Sequence, residues 1–391
     1  MTCYYHNISN SKVGNDMRVR ESNYELMRII SMFLIVVYHT IGYGNLIYNT
    51  SNVYMRGLLY LVRYTTIVHV NSFVLLTGFF QSKSKFKLSK LLSLVLETLF
   101  YINILNFVMY KLGYVTDVSK FSLLTDLFPS SMGHYWFIST YILLYIISDF
   151  LNKYIDKLGK YEYKCLLIVL FIVISVIPFV SGYEIFNNSG FSLYNFVFLY
   201  FVGGYLRRYP LKESSHFKNY SNIGYFFFLL ILFFMMVFIS FSLNIMSNNY
   251  SSIEAIDWFV ERINTVRNGH STPYVIIQSI CYFEMFGLLS FKSKVVNYLS
   301  SCTFGVYLFH EHKYIRPMIY TFLGVDKGVY SFSFGVFKDI IVCAFIIFIV
   351  GIIIDSLRKI IFILFSKCFI IKKISAVLKH IFTNLSFNVE W

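Results

Sequence analysis

The length of its apolar runs constrains this chain more than any other feature. Ten of them, at about 24–44, 57–80, 88–112, 134–151, 164–181, 191–207, 223–244, 272–291, 299–322 and 336–360, are separated by short polar stretches. About 20 apolar residues is what an α-helix needs to cross roughly 30 Å of hydrocarbon, and a spanning helix satisfies its own backbone where no water can. The composition agrees, at 57% hydrophobic and 14% charged, against roughly 25% charged in an ordinary soluble domain. These runs predict an all-α fold: a polytopic transmembrane helix bundle of about ten spans with the lipid bilayer as its solvent.

Charge placement predicts the orientation. Short loops rich in lysine and arginine stay in the cytoplasm. With the N-terminus inside, 24 of the 34 basic residues fall on cytoplasmic segments and helix ends, which places both termini in the cytoplasm. Residues 1–22 then form a cytoplasmic segment, 23–360 the membrane domain and 361–391 a basic tail. From Lys367 to Phe382 basic and apolar residues alternate, as in an amphipathic helix lying on an anionic leaflet. The first run is too long for the core of a signal peptide, and Tyr43-Gly44-Asn45 is a poor cleavage site, so it is expected to remain a helix.

The formal charge of +14 is scattered over loops and forms no base-reading module, so no nucleic acid partner is expected. Cys3, Cys165, Cys281, Cys302, Cys343 and Cys368 show no ligand-like spacing, so no metal is expected. The longest connection, about Ile245 to Ser271, is too short for a catalytic domain. Any chemistry must therefore sit within the bundle or at its edge.

Ionisable groups inside spans mark functional positions. On the first helix, about Tyr24 to Gly44, Arg28 and His39 are eleven residues apart. That spacing is about 20° beyond three full turns and roughly 16 Å along the axis, so both lie on one face at two depths. Glu25, one turn before Arg28, can pair with the guanidinium and aim it. A guanidinium at the cytoplasmic edge suits phosphate, and a deeper imidazole suits proton transfer from an attacking hydroxyl. Spacing alone leaves a structural reading open, in which Arg28 snorkels to the interface and His39 bonds a neighbouring helix. Glu97 and Glu284 lie mid-span and must be paired, protonated or facing a polar cavity, and Arg63 is a candidate partner for one of them. Asp149 and Asp355, near cytoplasmic helix ends, read as solvated.

The segments around this pair resemble the acyltransferase-3 family of integral membrane acyltransferases. Glu25-Leu-Met-Arg28 with His39 resembles its arginine, ten residues, histidine signature. Phe73-Val-Leu-Leu-Thr77-Gly78-Phe-Phe80 is similar to its Ser-Gly-Phe/Tyr segment, His134-Tyr-Trp136-Phe137 to its His-x-Trp-Phe helix start, and Phe201-Val-Gly203-Gly204-Tyr-Leu-Arg207 to its Gly-x-x-Leu helix end. Thr303-Phe-Gly305-Val-Tyr307-Leu-Phe-His310-Glu-His312 looks like its Phe-Gly-Ile/Val-Tyr-Leu-Ile-His segment. The chain lacks the Trp-Ser-Leu-x-x-Glu segment and the fused esterase-like domain of some members, so any role of those parts is absent or supplied by a partner.

The resemblance implies a bacterial plasma-membrane O-acyltransferase that moves an acyl group, usually acetyl from acetyl-CoA, to a carbohydrate hydroxyl. The acceptor would be a surface or capsular polysaccharide or its lipid-linked precursor. Under it Arg28, aimed by Glu25, holds the acetyl-CoA phosphates. His39 acts as base or transient acyl carrier, and His310 meets the acceptor from the outer end of its span. His134, Trp136, Tyr307 and Arg63 are expected to bind substrate, with His69 beside Arg63 on the acceptor path. The competing functions are a polysaccharide exporter without acyl transfer and a non-catalytic membrane domain serving another protein.

Overall fold

A computed structural model describes residues 21–115, 135–183, 188–249, 269–326 and 334–367. Those residues are helical and contain no strand. Six helical stretches are long and apolar enough to cross a membrane: Ser22–Tyr43, Val53–Gln81, Leu88–Lys111, Lys160–Ser181, Asn222–Met246 and Gly335–Leu364. The other four apolar runs fold into Trp136–Ile155, Leu193–Arg208, Pro273–Gly287 and a broken pair, Thr303–His310 and Ile315–Phe322. Large apolar side chains such as Ile231, Phe234, Phe238, Phe345 and Ile353 are exposed. Lipid accounts for such surfaces and water does not.

We label the main helices α1 (Ser22–Tyr43), α2 (Val53–Thr66), α3 (His69–Gln81), α4 (Leu88–Lys111), α5 (Trp136–Ile155), α6 (Leu193–Arg208), α7 (Pro273–Gly287), α8 (Thr303–His310), α9 (Ile315–Phe322) and α10 (Gly335–Lys367). The α1 helix is central, packing on α2, α3, α7, α8 and α10. Tyr24 and Met27, in its first half, join one apolar core, and Ile35, Val36, Val37 and Ile41 join a second. The chain therefore reads α1 along its whole length from several sides at once. The final helix continues to Lys367, past residue 360 where the apolar run ends; residues 368–391 lie outside the described part of the chain.

Helices in lipid gain little from hydrophobic burial and associate through close packing and polar contacts. The closest crossing joins α3 to α6. A Cβ on Gly78 would lie 2.2 Å from the Tyr200 carbonyl oxygen, and one on Gly203 would lie 2.3 Å from that of Leu75. Two of the family-like segments are thus the two halves of one crossing. Asn152 on α5 ties them further, donating to Gln81 O at 3.0 Å and accepting from Tyr200 Oη at 2.6 Å.

Buried charges elsewhere are matched. Glu97 pairs with Arg358 at 3.0 Å, so its partner is not Arg63. Asp355, expected to be solvated, is fully buried, bonded to Arg358 Nε at 2.7 Å and Tyr101 Oη at 3.0 Å and paired with Lys359 at 3.1 Å. The reason is geometric: one turn of α10 carries the acid and both cations, so burying the turn buries a neutralised cluster. Asp149 accepts the Phe86 backbone N–H at 2.7 Å, which holds the loop before α4. Glu284 accepts from Tyr225 Oη at 3.3 Å.

Candidate active site

Irregular backbone converges on one place. The stretch Val53–Gln81 breaks at Ile67-Val68, immediately before His69. The run at 299–322, expected to be one span, ends its first helix at His310 and resumes at Ile315. A third irregular stretch pairs with a fourth, since His270 N donates to Ser189 O at 2.8 Å. Free backbone groups at membrane depth are tolerated where protein or a polar site covers them. Here the breaks surround the histidines.

His39, in the penultimate turn of α1, meets His310 and Glu311 there. His39 Nδ1 lies 3.2 Å from His310 Nε2 and 2.9 Å from Glu311 Oε1. His310 is fully buried, and its Nδ1 sits 2.7 Å from the Val306 carbonyl oxygen. A carbonyl only accepts, so His310 Nδ1 carries a hydrogen and a neutral ring presents its lone pair at Nε2. His39 Nδ1–H then donates to His310 Nε2, with Glu311 Oε1 2.9 Å from the same nitrogen. Its own lone pair is left at Nε2, the position of a general base. The sequence placed His310 near the outer end of a through-span; it is instead the last helical residue before a break, which is why it reaches His39.

Glu311 is the residue that sequence reasoning passed over. It is buried, and Arg316 Nη1 lies 3.4 Å from its second oxygen while the guanidinium stacks 4.8 Å over the Tyr43 ring. A proton taken at His39 Nε2 would create an imidazolium beside this carboxylate. Two opposite unit charges near 3–4 Å attract by on the order of 4 kcal/mol at an effective dielectric of 20. The signal available in the sequence was an acidic residue flanked by histidines in His310-Glu311-His312. His312 is buried and its Nδ1 accepts the Tyr314 backbone N–H at 3.4 Å, which shapes the turn after the break. His39, His310 and Glu311 also have the spacing of ligands to a metal ion.

Several of the expected substrate-binding residues lie on a closed circuit of rings through this site. Centroid separations run His39 to His310 at 5.4 Å, His310 to Tyr307 at 6.1 Å, Tyr307 to Phe137 at 6.0 Å and Phe137 to Trp136 at 5.9 Å. The circuit returns from Trp136 to Phe191 at 4.6 Å, Phe191 to His270 at 5.2 Å, His270 to His69 at 5.4 Å and His69 to His39 at 6.5 Å. Arg63 stands beside it, donating to Tyr38 Oη at 3.0 Å, and Tyr38 packs edge-on against His69 at 5.1 Å. His134 lies outside the described residues. His270 carried no motif and was not singled out by the sequence.

Arg28 and Glu25 lie apart from this circuit, toward the start of α1. Arg28 Nη1 donates to both Glu25 oxygens, at 2.9 and 3.1 Å, and Ser300 Oγ donates to the same carboxylate. Glu25 therefore aims the guanidinium and is itself turned away from any anion. Arg28 and Arg207 both lie over the Phe80 ring, at 5.9 and 6.0 Å, and Arg207 lies 4.7 Å over Phe79. In the sequence Arg207 closed a family-like segment and was given no binding role. In the nearby loop, burial and then the Arg208 guanidinium push the Lys83 ammonium below the usual lysine value.

The fold and the site together define a multi-pass helical membrane protein with two contacting histidines and a buried carboxylate at one end of α1 and two guanidinium groups near the other. A family model described as an acyltransferase domain, acyltransferase 3, matches residues 21–370. The chain belongs to the acyltransferase-3 family, and its helical bundle is a membrane acyltransferase domain. No curated protein and no solved structure matches it.

Proposed function

We propose that this protein transfers acetyl from cytoplasmic acetyl-CoA to hydroxyl groups of a surface or capsular polysaccharide, or of its lipid-linked precursor, at a bacterial plasma membrane. The observation that carries the reading is the His39–His310–Glu311 contact set, whose His39 lies on the same helix as Arg28 but about 16 Å further along its axis. A phosphate-binding group at one depth and a base at another suit a long anionic thioester whose reactive end must reach an acceptor. With both termini cytoplasmic, Arg28 lies at the cytoplasmic edge.

In this reading Arg28 and Arg207 hold the CoA phosphates through planar donors that engage two oxygens at once. The acceptor hydroxyl loses its proton to His39 Nε2 as its oxygen attacks the thioester carbonyl. Glu311 stabilises the resulting imidazolium, and the proton then passes to the departing CoA thiolate. His310 holds the His39 ring, with its own tautomer set by Val306, and is a positioning residue. Trp136 and Tyr307 offer ring faces of the kind sugars stack on.

Deleting the gene tests the reading against export. An acetyltransferase predicts that surface glycan is still made but lacks its acetyl esters, detected by proton NMR of the extracted polymer. Loss of the glycan itself would contradict it.

A further inference from the structure

We propose that His69, Asn71 and His270 form a hydroxyl-recognition subsite that holds the acceptor sugar against His39; this rests on the acyl-transfer reading above. His69 is 1% exposed, yet among the described residues neither of its ring nitrogens has a hydrogen-bond partner. His270 is 3% exposed, its ring bonds the Ile67 backbone, and its Nδ1 has no partner among the described residues. Asn71 is fully buried and donates through Nδ2 to the His270 carbonyl oxygen at 2.8 Å, while its Oδ1 has no donor among the described residues. Buried polar atoms in native proteins are nearly always bonded, and several unbonded ones together point to a ligand that completes them.

The contrast within the site is informative. Another fully buried histidine of the site, His310, has its Nδ1 bonded to the Val306 carbonyl oxygen. His69 instead follows the break in its span, with its ring edge-on to Tyr38 and His270 and next to that of His39.

The atoms also select the chemistry of the ligand. A neutral imidazole offers one donor and one acceptor, and an amide oxygen only accepts. An anion would leave Asn71 Oδ1 and the imidazole lone pairs unserved, and a cation would leave the N–H unserved. A hydroxyl donates and accepts, so a ligand with neighbouring hydroxyls satisfies the set. The His69 and His39 rings are neighbours, with centroids 6.5 Å apart. One hydroxyl can then rest on His69 and Asn71 while another meets His39. Tyr38 and Phe191, each packed edge-on to one of these histidines, complete the apolar side.

The test uses the full chain in lipid nanodiscs with acetyl-CoA and surface glycan extracted from cells lacking this gene. Thiol release is followed with and without glycan for wild type, His69→Leu and Asn71→Leu. The expected result is a KM for glycan raised by about tenfold or more, because a site built for hydroxyls loses its partner. The KM for acetyl-CoA should stay within about twofold, and for His69→Leu the melting temperature should not fall, since its ring nitrogens have no protein partner among the described residues to lose; Asn71→Leu also loses its bond to the His270 carbonyl oxygen and is read by its KM for glycan alone. An unchanged KM for glycan overturns the proposal. So does a general loss of activity with a lowered melting temperature, which is the signature of a structural histidine. If wild type releases no thiol, the acyl-transfer reading fails on its own, and tryptophan fluorescence titrated with the same glycan decides the subsite. A glycan-dependent change in wild type that is lost in His69→Leu supports it, and the same change in both overturns it.

Discussion

His39 Nδ1 carries two contacts at once, to His310 Nε2 at 3.2 Å and Glu311 Oε1 at 2.9 Å, and the predicted chemistry depends on which of these neighbours is charged. Replacing Glu311 by glutamine keeps the shape but removes the counter-charge of the imidazolium. A hydrogen bond to a charged group is worth roughly 1.5–3 kcal/mol, so kcat should fall by about 10- to 150-fold with the KM for acetyl-CoA unchanged. Steady-state kinetics of thiol release would show this, and an unaltered kcat would remove Glu311 from the mechanism. Arg28→Ala is expected to raise the KM for acetyl-CoA, and Arg28→Lys to recover little, because an ammonium lacks the two-oxygen fork. Equal rescue by lysine would point to charge alone. Acid–base chemistry at His39, His310 and Glu311 predicts that dialysis against a chelator leaves thiol release intact. Loss restored by a divalent cation would reassign the three residues as ligands. His39 and His310 stood out in the sequence because each sits in a family-like segment. Glu311 did not, because a carboxylate between two histidines in an apolar run looks like the edge of a span until the helix is seen to stop there.

Among the elements, the crossing of α3 and α6 has the least room to adapt. Backbone oxygens would stand 2.2 and 2.3 Å from a Cβ on Gly78 or Gly203, and no side-chain rotation relieves such a contact. Gly203→Ala should therefore destabilise the bundle by about 1–3 kcal/mol, the range for overpacking a tight interior. Thermal unfolding in detergent would register it as a lowered midpoint; an unshifted midpoint would mean that the helices can separate freely. The long helices were legible from apolar length, since hydrocarbon thickness fixes how many residues a span needs. The break at Ile67-Val68 was not, because it lies inside an apolar run and contains no glycine or proline. The break at Glu311–Tyr314 is polar, Glu-His-Lys-Tyr, but the apolar residues on both sides of it were read as one span. The pairing of Glu97 with Arg358 was equally hidden: it joins residues far apart in the chain that no periodicity relates.

Across the whole molecule the guanidinium cluster at Arg28 and Arg207 and the imidazole site at His39 lie at different depths along α1. The distribution of basic residues predicts the first at the cytoplasmic face. In a cysteine-free background, Ser215→Cys should react with a membrane-impermeant maleimide only from the cytoplasmic side, and Ser51→Cys only from the opposite side. The reverse pattern would put the phosphate-binding end away from cytoplasmic acetyl-CoA. The most direct measurement is transfer itself, with purified protein in nanodiscs, acetyl-CoA labelled in the acetyl group, and unmodified surface glycan. Wild type should move label onto the glycan, and His39→Ala should lose roughly 10²–10⁴-fold of that rate, the usual contribution of a positioned base. Label on glycan at equal rates in both proteins, or in neither, would contradict acyl transfer by this histidine.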